Sequence, residues 1–154
     1  MRNHTCCFTG HRRIPSEEYD EIASKLEDVL CQLINTGYQF FGAGGALGFD
    51  TLAATTVLKL KKRYPHIKLI LVLPCRNQTA KWKASDVKVY EYIKSQADKV
   101  VYISEEYTAD CMFKRNRHLV DNSSVCIAYC KKDSGGTFYT VGYARDNGLR
   151  VFSI

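Results

Sequence analysis

Glycine-rich turns of the kind that bind anions occur at two points of the sequence. In FGAGGALGFDTLAA, four glycines fall between Gly42 and Gly48, and an aspartate follows at the start of a helical pattern. The second turn, SGGT at 134–137, also precedes a helical pattern. Backbone N–H groups left free at a helix start bind phosphate, and glycines let a ligand approach closely. Both turns predict a phosphate or ribose site, although a tight turn that needs positive φ also explains the first.

The first turn matches neither of the phosphate loops with well-known spacings. It follows the second predicted strand, no acidic residue ends the next strand, and the Lys-Ser/Thr pair of a P-loop is absent. A generic anion site remains. Asp50 repels phosphate, which leaves two interpretations open. It caps the helix or favours the helix dipole, or it accepts hydrogen bonds from ligand hydroxyls such as those of a ribose.

Two further stretches, CMFKRNRHLVDNSS and RNQTAKWKASD, carry side chains suited to a nucleotide. Asn116 falls within an apolar helical stripe, and a buried amide needs partners, which rim loops or a ligand could supply. Arg115 and Arg117 flank it and can make forked contacts to phosphate, or they form a structural network that pins loops together. Trp82 lies between two lysines, where it stacks on a base or covers the edge of the core.

Composition indicates a soluble cytoplasmic protein. Of its 154 residues, 45% are hydrophobic and 25% charged, and the net charge of +6 permits an anionic partner without demanding one. No apolar run is long enough to span a bilayer, and the amino terminus does not resemble a signal peptide. The seven cysteines include no C-x-x-C pair, so we expect no metal site. Packing is the expected role of Cys6, Cys31, Cys126 and Cys130.

Short β-rich runs alternate with helical patterns along the whole chain. This alternation predicts an α/β fold, namely a single Rossmann-like, doubly wound domain over residues 1–154 with a mainly parallel sheet of about six strands and helices on both faces. Several of the runs are almost continuously apolar, which is typical of strands buried on both faces. The predicted strands are His4–Thr9, Tyr38–Gly42, Ile67–Leu73, Lys99–Ser104, Ser124–Tyr129 and Arg150–Ile154.

Ligands of such folds bind beyond the carboxyl ends of the strands. Small or basic residues follow five consecutive predicted strands, and we expect them to meet at one rim. The rim basic residues are not interleaved with a run of aromatics, as a groove that tracks single-stranded nucleic acid would favour. The residues assigned to a ligand site are Gly10, His11, Arg12, Gly44, Gly45, Gly48, Asp50, Trp82, Arg115, Asn116, Arg117, Gly135, Gly136 and Thr137.

Taken together, the stretches CCFTGHRR, GGALGFDTLAA, LILVLPCRNQTAKW, FKRNRHLVDNS and SGGTFYTVGYARDNGLRVFSI resemble the SLOG superfamily of Rossmann-like domains, most closely its YpsA-like branch. The resemblance implies bacterial sensing or regulation through a nucleotide-derived phosphorylated ligand, such as a nucleotide, an ADP-ribose-like molecule or a sugar phosphate. It also implies a possible homodimer. It identifies no cofactor, and no residue is assigned to catalysis.

Two other branches supply alternatives. GALGFD, RNR and SGGT also resemble the core of DNA-processing protein A (DprA/Smf), which implies single-stranded DNA binding. The LOG phosphoribohydrolases hydrolyse nucleoside monophosphates with a glutamate in the motif PGGxGTxxE. In this sequence Ser134 replaces the proline, Phe138 the third glycine and Gly142 the glutamate, which argues against that reaction.

Overall fold

The computed structural model describes residues 1–154, in which strands and α-helices alternate. The strands are β1 (Thr5–Gly10), β2 (Phe40–Ala43), β3 (Lys68–Leu73), β4 (Lys99–Tyr102), β5 (Val125–Tyr129) and β6 (Arg150–Ser153). The helices are α1 (Tyr19–Asn35), α2 (Phe49–Lys61), α3 (Ala84–Gln96), α4 (Cys111–Asp121) and α5 (Gly136–Asp146), and a short 3₁₀ turn precedes β1. All six strands lie parallel in one sheet, in the order β4-β3-β2-β1-β5-β6.

Alternate residues of each strand face two separate apolar layers, because successive side chains of a strand point to opposite faces. Cys6 and Phe8 of β1 pack with the buried faces of α1, α2 and α3. Cys7, between them, packs with Leu119 and Val120 of α4 and with buried residues of α5. The sheet therefore carries helices on both faces, and the prediction of a Rossmann-like α/β fold is confirmed. None of the helices has the length and apolar content needed to span a bilayer.

The cysteines are all free thiols, and most of them serve as small core residues. Cys6 and Cys126 are fully buried, as expected. Cys31 and Cys130 are only partly buried, and each packs against the edge of one of the two apolar layers.

The direction of chain winding reverses next to β1. From β1 the chain adds β2, β3 and β4 toward one edge, and α4 then returns it to β5 on the other side of β1. At such a reversal the loops that follow the two strands diverge, and they leave a crevice beyond the carboxyl ends. The loops after β1 and β5 therefore frame the expected ligand position.

The glycine turn between β2 and α2 is packed against the loop that follows β1. Gly48 has φ +77°, and a Cβ atom there would collide with the backbone of His11 and Arg12. The Phe49 N–H at the start of α2 donates a hydrogen bond to the His11 carbonyl, 3.0 Å away. Glycine is thus required at position 48 for its backbone angle and for the close approach of two loops.

We predict that Gly48→Ala lowers the free energy of unfolding by more than about 1 kcal/mol, because a Cβ is strained at this φ and has no room. Gly142→Ala is the matched control. Gly142 lies inside α5, and an added Cβ would meet no atom within 4 Å. There the change stabilises by about 0.5–1 kcal/mol. Urea titration of both variants checks the prediction, and a Gly48→Ala protein as stable as the parent would contradict it.

Candidate ligand-binding cleft

A cleft of ≈720 Å³ opens at the winding reversal between β1 and β5. Its size lies within the range of small-molecule and cofactor sites. The loops after β1 and β5 and the first turns of α2, α4 and α5 line it. The sequence-assigned residues that line the cleft are Gly10, His11, Arg12, Asp50, Arg115, Asn116, Gly135, Gly136 and Thr137.

The second glycine turn faces the cleft and is open. Gly135, with φ +93°, precedes α5, and no side chain caps this helix. A Cβ atom on Gly135 or Gly136 would meet nothing within 4 Å. The N–H groups of Gly136, Thr137 and Phe138 make no hydrogen bond to the protein. Because the first N–H groups of a helix have no intrahelical acceptor, these groups are free to bind an anion in the cleft.

The first glycine turn is filled by the protein's own atoms. Gly44, Gly45 and Gly48 do not line the cleft, contrary to the expectation that they hold phosphate. The Gly44 carbonyl accepts a hydrogen bond from the Arg115 guanidinium. Gly45 turns away from the cleft and packs toward Tyr90. The glycines of this turn therefore serve loop packing.

Arg115 is the buried polar residue of α4, with 5% of its surface exposed. The sequence placed Asn116 in the apolar stripe, but Cys111, Arg115 and Leu119 face the sheet at a spacing of four residues. The Arg115 Nε–H donates to the Asn116 Oδ1, 2.7 Å away, and another guanidinium nitrogen donates to the Gly44 carbonyl. Burial lowers the pKa of Arg115, and the nearby Asp50 charge opposes this shift. Arg115 and Asn116 therefore form a structural network that holds the first glycine turn, which is one of the two interpretations that the sequence left open.

Asp50 lies on the floor of the cleft and is 7% exposed. Its Oδ2 accepts a hydrogen bond from the Ala46 N–H at 3.2 Å, which closes the first glycine turn. Burial raises the pKa of Asp50, while Arg115 and the Ala46 N–H oppose this rise. Its other oxygen makes no hydrogen bond, so it is available to accept one from a ligand hydroxyl.

Trp82 and Arg117 lie outside the cleft. Trp82 is half-buried and packs edge-to-face against Tyr90, with ring centroids 5.4 Å apart, so it covers the edge of the core. Arg117 is exposed on the outer side of α4, where its guanidinium donates to the Tyr139 hydroxyl. Trp82 lies away from the cleft because it follows β3, which is not next to β5 in the sheet, and Arg117 because it points to the outer side of α4. The position of a residue after a predicted strand shows neither the strand order nor the side of a helix on which the residue lies.

Three basic residues of the cleft were not assigned to the site from the sequence, namely Arg13, Lys131 and Lys132. Together with Arg12 they place four exposed cationic side chains around the opening, and Glu18 and Asp50 are the acidic residues that line it. Lys131 and Lys132 follow β5 and come directly before the second glycine turn. The rule that ligands bind beyond the carboxyl ends of the strands therefore predicts Lys131 and Lys132 as site residues too. The cleft is electropositive overall and suits an anionic ligand.

Comparison with known proteins identifies the family. The sequence profile described as the YspA SLOG family (YpsA) matches residues 7–147. The chain belongs to the YpsA family of SLOG proteins. The SPbeta prophage-derived protein YoqJ of Bacillus subtilis is 30% identical to it over 142 residues, which cover 84% of this chain and 83% of YoqJ.

Two solved structures share the fold of this YpsA-family protein. DNA processing protein A (DprA) from Streptococcus pneumoniae superposes with a TM-score of 0.71 at 17% identity, over 98% of this chain and 50% of the DprA chain. DprA from Helicobacter pylori, whose structure describes its single-stranded DNA binding mode, gives 0.71 at 20% identity, over 97% and 64%. The YpsA-family chain thus spans between half and two thirds of the DprA chains, and the likeness concerns the fold.

His11 joins the two loops that frame the cleft of this YpsA-family protein. The Lys131 N–H, after β5, donates to the His11 Nε2, after β1, at 2.8 Å. The imidazole also packs edge-on against Tyr129, with ring centroids 5.5 Å apart. Partial burial and the charge of Lys132 lower the pKa of His11 from its ordinary value of 6.5. Neutral His11 therefore accepts the hydrogen bond that closes the back of the cleft.

We predict that acidification weakens this contact. A pKa that is lower in the folded state gives a stabilisation that is complete above the unfolded value near 6.5 and is lost as the pH falls through the folded value. The thermal midpoint of the parent should therefore fall more steeply between about pH 7 and 5 than that of His11→Gln, which cannot titrate. His66→Gln, which removes an exposed histidine outside the cleft, is the control. Parallel curves for the parent and His11→Gln would contradict the prediction.

Proposed function

We propose that this YpsA-family protein binds a nucleotide-derived, phosphorylated ligand in the cleft between β1 and β5. The observation that carries the proposal is the uncapped start of α5, whose free N–H groups face a cavity bordered by cationic side chains. A phosphate bound there receives hydrogen bonds from the Gly136 and Thr137 N–H groups and charge from Arg12 and Lys131. The loops on both sides of the winding reversal would then hold one ligand.

The floor of the cleft suits the sugar of such a ligand. Asp50 has one oxygen free to accept from a ribose hydroxyl, and the Arg115 beside it offsets part of its charge. A nucleotide, an ADP-ribose-like molecule or a sugar phosphate carries the required phosphate and hydroxyls. Gly142, at the position of the LOG-type glutamate, is exposed and outside the cleft. The arrangement therefore favours binding or sensing, and we infer a regulatory role in the bacterial cytoplasm.

We predict that a nucleotide ligand stabilises the parent protein and not Gly136→Glu. The glutamate fits without a clash, since a Cβ at Gly136 meets no atom within 4 Å, but its carboxylate repels phosphate. Gly142→Glu is the matched control, because it adds the same charge to the same helix outside the cleft. Thermal shift with AMP, NAD, ADP-ribose and ribose 5-phosphate measures the effect. A ligand at a hundredfold excess over Kd raises Tm by about 5–10 °C.

Two results would contradict this assignment. One is the absence of a shift in the parent with all four compounds. The other is a shift that Gly136→Glu retains, which would place the ligand elsewhere. Mass spectrometry of small molecules that co-purify with the parent, but not with Gly136→Glu, then identifies the natural ligand.

A second candidate function is the binding of single-stranded DNA. It is supported by the fold likeness to DprA and by four cationic side chains that are exposed at the mouth of the cleft, where a chain of phosphates can reach them. A small ligand and a nucleic-acid end could occupy the same phosphate site. The two candidates differ in whether binding continues beyond one nucleotide.

We predict a limited salt dependence for any oligonucleotide that binds through the cleft. Four cationic side chains, Arg12, Arg13, Lys131 and Lys132, line it, so log K should fall with log salt concentration with a slope of about −3. The slope is measured by fluorescence anisotropy of a labelled oligothymidylate at salt concentrations between about 50 and 200 mM. No binding at the lowest salt would exclude this candidate.

A further inference from the structure

An aromatic–arginine seam runs along the outer side of α4 and α5, formed by Phe113, Arg117, Tyr139 and Tyr143. Phe113 meets Tyr139 edge-to-face with ring centroids 5.0 Å apart, and Tyr139 and Tyr143 are stacked at 6.4 Å. Phe113 is 46% exposed and Tyr139 36% exposed. Exposed aromatic clusters on a soluble protein mark interaction surfaces more often than scattered apolar residues do.

Arg117 gives the seam an available positive charge. Its guanidinium lies 5.6 Å from the Tyr139 ring centroid and 5.4 Å from that of Tyr143, and it donates to the Tyr139 hydroxyl. Arg117 has no carboxylate within salt-bridge distance; the nearest acidic influence is Asp121, which accepts a hydrogen bond from the Tyr143 hydroxyl. The hydrogen bond to Tyr139 raises the pKa of Arg117, and the Asp121 charge contributes to this rise. The rings therefore hold an exposed cation in place while carrying no negative charge themselves.

The seam begins where the cleft ends. Gly136, Tyr139 and Tyr143 lie three and four residues apart on one flank of α5, and Gly136 lines the cleft. On α4, Asn116 lines the cleft and its neighbour Arg117 belongs to the seam. Tyr139 therefore lies about one helical turn beyond Gly136, so a chain that leaves the cleft along α5 would reach the aromatic rings.

This juxtaposition corrects the sequence-based argument against nucleic-acid binding. The sequence shows no aromatics interleaved with basic residues, but the fold brings Arg117 of α4 to Tyr139 of α5, which is 22 residues away. Stacking platforms with an adjacent positive groove are the arrangement that single-stranded nucleic acids require.

We propose that the seam stacks bases of a single-stranded nucleic acid that extends from a phosphate bound in the cleft. The proposal rests on the cleft assignment for that first phosphate. The charge favours this occupant over a second copy of the chain, because a two-fold contact centred on the seam would bring two unpaired Arg117 guanidiniums together. Each stacked base adds affinity that a mononucleotide cannot gain, so binding should strengthen with strand length.

The test compares thymidine monophosphate with a hexathymidylate on the full chain. The hexamer should bind at least tenfold more tightly, and Tyr139→Ala and Phe113→Ala should each weaken it about tenfold while leaving the monophosphate unchanged. Tyr139→Phe keeps the ring and should stay within about twofold of the parent. The matched control is Tyr92→Ala, which removes an exposed ring of α3 outside both cleft and seam. Thermal midpoints verify that the variants fold.

Three outcomes would overturn the seam assignment. The first is a hexamer that binds no more tightly than the monophosphate. The second is a Tyr92→Ala variant that weakens hexamer binding as much as Tyr139→Ala does. The third is a set of seam variants that convert a dimer to a monomer in sedimentation without changing hexamer affinity. Failure of the seam proposal can be distinguished from failure of the cleft proposal. If Gly136→Glu does not abolish binding of the monophosphate, the cleft assignment is wrong. If the monophosphate binds in the cleft but the hexamer binds no more tightly, only the seam assignment is wrong.

Discussion

The burial of the Arg115 guanidinium sets the shape of the cleft floor. A buried cation is costly unless acceptors surround it. Arg115 finds them in the Gly44 carbonyl and the Asn116 amide oxygen, with the Asp50 carboxylate nearby. These contacts tie α4, on one face of the sheet, to the turn that starts α2 on the other. Asn116 and the first glycine turn are thus held by one side chain at the floor of the cleft.

The two glycine turns have similar local sequences, but their surroundings in the fold leave one open and the other filled by the protein. Each precedes a helix, and each contains a glycine with positive φ, Gly48 in one and Gly135 in the other. At the start of α2 the loop after β1 approaches so closely that its carbonyl takes the place a ligand would have. No loop covers the start of α5, which remains open to solvent. β1 pairs directly with both β2 and β5, so the difference lies in the loops: the loop after β1 packs on the start of α2 and leaves the start of α5 uncovered.

The sequence predicts the alternation of elements, the parallel sheet and the edge that carries the loops, because apolar runs and helical spacing are local properties. It cannot reveal where along that edge a loop lies. Trp82 and Gly45 follow β3 and β2, so they reach the edge but on the side away from the reversal. The sequence also leaves uncertain which side of a helix faces the sheet. A rotation of about one residue on α4 exchanges the expected burial of Asn116 for that of Arg115. The seam combines side chains from two helices, and its existence depends on how they pack.

The central position of β1 has a consequence for biosynthesis. β1 leaves the ribosome before the other five strands, yet one of its two neighbours is β5, which begins at Val125. Until β5 has been translated, β1 can pair only toward β2, and its other edge exposes backbone groups that invite association with foreign strands. A nascent polypeptide of this topology therefore gains both the protection of this edge and the cleft beside it only after β5 has emerged.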